Sequence, residues 1–282
     1  MNDATAADVL DRFYLAEKSA ILDRMLDMGV SKYMASLPPL APVFQTGRVK
    51  EGCCSDSRIY LARHRGEKGG YVQGIASLGS LLLLAYKNLE RAREFVRRSK
   101  IAAIWGHTRC GAGHMLYQKV HGVPPPDQET LDGFVMAQTQ KAAELLGVDY
   151  GGFIHSGSLR KSPDVHPVRT VAIIGTQACS LWEVDYVPRA FRSFAVYHEE
   201  ANTHFEVQTL TGIALGPLGY GSRLSASNPV LWMPVGDADN EEQSCEAISE
   251  RLVRFRRTLS PDLAEKIHID GFNWSSRRES VV

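Results

Sequence analysis

The stretch that decides the fold is 101-IAAIWGHTRCGAGHM-115. Its first six residues are apolar or small, and they follow a long run of helical character. A short, unbroken apolar run in that place predicts a strand buried on both faces, as in a parallel sheet. The run passes directly into His107 and Cys110, with Gly106 and Gly111 on either side. Glycine frees the backbone for a tight turn. One turn at a strand end can therefore present an imidazole and a thiol to a common point.

Upstream, 74-GIASLGSLLLLAYKNLERAREFVRRS-99 predicts a long helix. It is small and apolar at first and basic at its end, where cations suit the helix dipole. Before it, 46-TGRVKEGCC-54 predicts a short extended segment, more polar than central strands usually are. Strand, helix and strand over this length predict a right-handed βαβ unit.

Downstream, 122-GVPPPD-127 predicts a loop and residues 128–147 a helix ending at Gly147. Residues 149–167, rich in Gly, Ser and Pro, predict a loop of the kind that serves as a flap. Strands are predicted over 168–176, 191–198, 204–215 and 229–235, an amphipathic helix over 241–259, and a tail over 271–282. At the front, apolar positions between Val9 and Met28 suit one or two amphipathic helices, ended by Pro38, Pro39 and Pro42. The whole predicts a single α/β domain over 1–282, with a central, mainly parallel β-sheet flanked by helices. Residues 1–43 form an N-terminal helical arm, 44–215 the catalytic core and 216–282 a C-terminal extension with a helix.

Composition narrows the function. Lys and Arg total 32 against 32 for Asp and Glu, so no global field gathers nucleic acid or an anionic membrane. No segment approaches the ~18 apolar residues of a membrane span. Five cysteines are too sparse for a disulfide framework. The expectation is a cytoplasmic protein whose thiols are free for metal or catalysis.

A third donor stands in 51-EGCCSDSRIY-60. Cys54 closes the predicted strand before the helix, and ligands gather at the carboxyl ends of strands in open α/β sheets. A buried cysteine taken alone is more often a small hydrophobe. Cys54, His107 and Cys110 together favour a metal: zinc takes thiolate and imidazole, and three protein ligands leave a fourth position open. Asp56 can reach that position or accept a hydrogen bond from its water, and Arg58 can hold the carboxylate by a bidentate pair. Cys53, in an extended segment, points to the opposite face and fills the core.

Cys-Ser-Asp-Ser-Arg at 54–58 and Gly-His-Thr-Arg-Cys-Gly-Ala-Gly at 106–113 resemble the two signature motifs of the β-class carbonic anhydrases. Their order, and their separation across one long helix, are also those of the family. The resemblance implies zinc on Cys54, His107 and Cys110, with Asp56 and Arg58 as a catalytic dyad. It implies reversible hydration of carbon dioxide to bicarbonate, and an arm that packs on a partner in a homo-oligomer built from dimers. His64, His114, His121 and His155 are candidates to carry the proton away.

The sequence also departs from the family. The stretch 66-GEKGGYVQGIAS-77 lacks the Arg and Asn usual there. Gln73 can supply an amide instead, with Tyr71 and Gly111 lining a substrate pocket and Trp105 beside the ligands. These departures bear on the substrate rather than on the metal. Carbon disulfide and carbonyl sulfide are alternative linear substrates for a hydrolase of the same fold. A zinc-binding interaction module is a third reading, against which the complete Asp56–Arg58 dyad argues. A Cys–His nucleophilic pair would leave Cys54 without a role.

Overall fold

The computed structural model describes residues 20–37, 49–54, 72–76, 88–99, 101–155, 169–174, 191–194, 210–212, 214–216 and 224–274. Contacts divide the chain into two compact units, 45–160 with 192–213 and 1–44 with 161–191 and 214–282. Each carries parallel strands packed against helices, so the chain is α/β. Residues 216–282, grouped above as a C-terminal extension, supply three strands of a second sheet. None of the described helices is long and apolar enough to cross a membrane.

The sheet of the unit 45–160 has the order β2-β1-β3-β4. These strands are β1 (Val49–Cys53), β2 (Val72–Ala76), β3 (Ile101–His107) and β4 (Asp149–Ile154), all paired in parallel. β3 lies where its apolar run predicts. β1 is central despite its polar sequence, and Glu51 shows how: it is 0 % exposed, and Trp105 Nε1 on β3 donates to its Oε2 at 2.7 Å. A buried carboxylate is tolerated when a donor meets it. A Cβ on Gly52 would stand 3.2 Å from Ile104 Cγ2, so glycine lets β1 and β3 close together.

Three expectations are corrected. Residues 74–76 are strand, not the start of the long helix, and Gln73 pairs with Lys50 inside β2. A stretch of five residues is too short to show a period, and pairing with β1 decides its state. The helix that follows is described over Leu89–Ser99. Residues 149–154, read as a loop, form strand β4, the last in the order among the described strands. Its Gly151 and Gly152 leave the space that the Trp105 ring fills, and Gly152 takes φ 140, open to glycine. Residues 210–215, read as strand, are helical where described. Leu210 and Ala214 are both buried, the i, i+4 spacing of a helix face.

Helices α1 (20–28), α2 (Val30–Ser36), α3 (Leu89–Ser99), α4 (Gly111–His121) and α5 (Gln128–Leu146) come in chain order. Asp127 caps α5 by accepting from Thr130 N, and Gly147 ends it at φ 70, as its sequence predicts. Arg93 of α3 donates from Nε to Leu145 O at 2.9 Å, using one of the spare carbonyls at the end of α5.

The second sheet has the order β6-β5-β7-β8, with β9 also on β7. The strands are β5 (Thr170–Ile174), β6 (Phe191–Phe194), β7 (Val230–Asp237), β8 (Ile267–Ile269) and β9 (Phe272–Trp274). β8 pairs with the start of β7 and β9 with its end. The break between them falls opposite Pro234, which has no N–H to give. The expected tail thus begins with a paired strand. The expected helix over 241–259 is a 3₁₀ turn, Glu241–Gln243, followed by α6 (Cys245–Arg256), because Ser244 caps α6 at Ala247 N. The described part of the N-terminal arm docks on its own chain: Val30 N donates to Asp270 Oδ2 and Ser31 Oγ to Gly271 O, each at 2.7 Å.

Candidate metal centre

β1 and β3 are neighbours in parallel register, so their carboxyl ends lie side by side. Cys54 follows directly on β1, His107 is the last residue of β3, and Cys110 is the N-cap of α4. The ligand atoms of these three side chains all lie within 4.8 Å of one another, and all three residues are buried. The group can hold a metal ion. The sequence singled out the same three residues from spacing and motif.

The orientation of each donor has a physical cause. His107 Nδ1 lies 2.8 Å from Thr108 O. A carbonyl only accepts, so Nδ1 carries the proton, and the neutral ring keeps its lone pair on Nε2. Thr108 N donates in turn to Ile154 O at 3.0 Å, tying the end of β3 to β4. Cys110 Sγ accepts from Gly113 N at 3.4 Å. A sulfur at a helix N-terminus that takes a backbone N–H is placed to carry negative charge.

The electrostatics fit a cation. The Cys54 thiol is pushed well above its ordinary value, first by its hydrogen bond to Cys110, then by burial and by the charge on Cys110, with His107 pulling the other way. Two buried thiols so close resist losing both protons. A divalent ion that takes the place of those protons removes the conflict. Soft thiolates with one imidazole are the donor set that zinc prefers.

The other expected site residues are placed as follows. Asp56, Arg58, Tyr71 and His64 lie outside the described residues, as do the side chains of Cys53 and Gln73. Gly111 opens α4 beside Cys110. Trp105 is half-buried, and its indole is engaged by Glu51 on one side and Gly151–Gly152 on the other. Among the described histidines, His114 is in the first turn of α4. His155 directly follows Ile154, the residue that pairs with His107. His121 ends α4, its ring 4.3 Å from that of Tyr117. At 1.5 Å per residue it is about 16 Å along the helix from Cys110, too far for a single proton hop.

Two residues that hold the elements around the centre carried no sequence signal, Glu51 between β1 and β3 and Asp132 on the ligand turn. Asp132 Oδ1 accepts the backbone N–H of Arg109, inside the ligand turn, at 2.9 Å. Both act across long separations in the chain, where no motif reports them. No protein-family model, curated protein or solved structure matches this chain.

Proposed function

We propose that this chain is a zinc-dependent lyase resembling the β-class carbonic anhydrases, hydrating carbon dioxide reversibly to bicarbonate. The observation that carries the reading is the buried convergence of Cys54, His107 and Cys110 at the ends of two adjacent parallel strands. Bound zinc supplies Lewis acidity that brings the ionisation of a water down towards about pH 7.

The chain's own residues do the rest. Cys54 and Cys110 would give two thiolates and His107 its Nε2 to hold the ion, and three protein donors would leave one position for substrate chemistry. Thr108 O fixes the imidazole tautomer, and Gly113 N–H steadies the Cys110 sulfur. Asp56, two residues after Cys54 in the sequence, would be the acceptor that orients the reacting water, and Arg58 would hold that carboxylate by a bidentate pair. Among the described histidines, His114 in the first turn of α4 and His155 just after β4 are the ones assigned to carry the proton away.

Metal analysis of the purified protein, paired with assays of carbon dioxide hydration and of carbon disulfide and carbonyl sulfide consumption, tests the proposal. One zinc per chain with carbon dioxide turnover is expected. Asp56→Ala should keep its zinc and lose turnover by about 10²-fold or more, the usual weight of a positioned acid–base group. Zinc without turnover on any of the three substrates would leave a structural centre. Consumption of the sulfur compounds alone would move the substrate and keep the chemistry.

A further inference from the structure

The geometry points to Asp132 as the positioning residue that sets the reach between His107 and Cys110. The inference rests on the metal reading above and concerns how the chain shapes its own donors.

Arg109 sits between the two ligands with φ 55, the one non-glycine residue with positive φ among those described. A side-chain-bearing residue in this left-handed region is strained and persists only when its surroundings hold it there. At Arg109 the backbone N–H is held by Asp132 Oδ1 at 2.9 Å. The same oxygen accepts from Gln128 Nε2 at 2.7 Å, one helical turn earlier on α5. The carboxylate is thus fixed by its own helix before it meets the turn.

The rest of α5 makes the grip specific. Thr139 Oγ1 would stand 2.9 Å from a Cβ on Gly106, and Val135 would collide with a Cβ on Gly113. Asp132, Val135 and Thr139 are spaced i, i+3, i+7, so they share one face of the helix. That face touches the chain just before His107, midway between the ligands, and just after Cys110. The two outer contacts are close packing. The middle one is a charge-assisted hydrogen bond to a strained backbone. If it is lost, Arg109 is free to relax to negative φ, and the imidazole and the thiol move relative to one another.

Cobalt(II) titration of the metal-free protein tests this, read by the thiolate charge-transfer and d–d bands. Asp132→Ala should weaken cobalt binding by about 10- to 100-fold, the range of partners that orient ligands, and change the d–d band shape. Asp132→Asn keeps an acceptor oxygen and should lose less. Arg109→Gly in the Asp132→Ala background should recover part of the affinity, since glycine takes positive φ without steric cost. A merely structural role would lower the melting temperature of the metal-free protein and give no recovery of affinity from that glycine. Wild-type affinity in Asp132→Ala, or no recovery by Arg109→Gly, would overturn the inference while leaving the metal centre in place. Failure of the wild-type chain to bind cobalt would overturn the metal reading and this inference with it.

Discussion

Two central strands in this chain lead to a helix with a cysteine at its start, β3 to Cys110, the N-cap of α4, and β7 through a 3₁₀ turn to Cys245, the first residue of α6. At the first, the thiol caps the helix and converges with Cys54 and His107. At the second, Ser244 makes the cap, and the Cys245 thiol turns back to donate to Pro234 O at 3.6 Å. The space in front of α6 is taken by the chain itself. Asn273 Oδ1 accepts from Cys245 N at 2.6 Å, and its Nδ2 donates to Glu246 Oε2 at 2.9 Å. A strand-to-helix junction is therefore only an opportunity. It becomes a candidate metal centre when donor side chains from two strand ends converge there.

The largest effect that would break this comparison is on metal content. Cys110→Ser removes a thiolate donor and should take bound zinc from one per chain to nearly none, measured by elemental analysis after gel filtration. Cys245→Ser, the same change at the other junction, should leave zinc untouched. Equal losses from the two variants would mean that the centre depends on general stability rather than on its donors.

The difference between the junctions also marks what the sequence could reveal. The ligands were legible because His107 and Cys110 sit in one short motif, and because 101-IAAIWG-106 has the composition of a doubly buried strand. Strand β2 was hidden in five residues that blend into an apolar run. Strand β4 was hidden by Gly151 and Gly152, which read as a loop until the Trp105 ring is seen to need their missing side chains. Residues 210–215 carry threonine and isoleucine, favourable to strands, yet packing of Leu210 and Ala214 selects a helix. Strands β8 and β9, three residues each, are defined only by pairing with β7. Asp132 and Glu51 were invisible for the same reason. Their partners lie 23 and 54 residues away in the chain, and local pattern carries no record of such contacts.

A smaller effect separates the junctions by pH. Burial, the leading cause, pushes the Cys245 thiol from 9.0 up to about 11, with the Ser249 hydrogen bond partly offsetting it. The folded state therefore ionises later than the unfolded chain. The stability contributed by the neutral thiol is complete below about pH 9 and is lost as pH rises through the window from about 9 to about 11. The direction of the gap makes the wild type lose stability across that window where the serine variant does not. Urea denaturation of wild type and Cys245→Ser across that window should show the two converging, with other titrations cancelling in the difference. A constant difference would mean that Cys245 ionises in the folded state much as it does in the unfolded chain.

The smallest effect concerns what a cysteine is worth as a cap. Ser244 Oγ accepts from Ala247 N at 3.1 Å, whereas Cys110 Sγ accepts from Gly113 N at 3.4 Å. Serine ranks among the best N-caps, and its loss to alanine costs about 1 kcal/mol. Sulfur is a weak acceptor, so Ser244→Cys should fall between, losing a few tenths of a kcal/mol to about 1 kcal/mol of unfolding free energy. Denaturation of Ser244→Ala and Ser244→Cys under reducing conditions gives both numbers on one helix. If Ser244→Cys were as costly as Ser244→Ala, capping would explain nothing about Cys110, and its place at the head of α4 would rest on metal ligation alone. If the substitution cost nothing, a thiol would cap as well as a hydroxyl, and capping by itself would suffice to explain the cysteine at that junction.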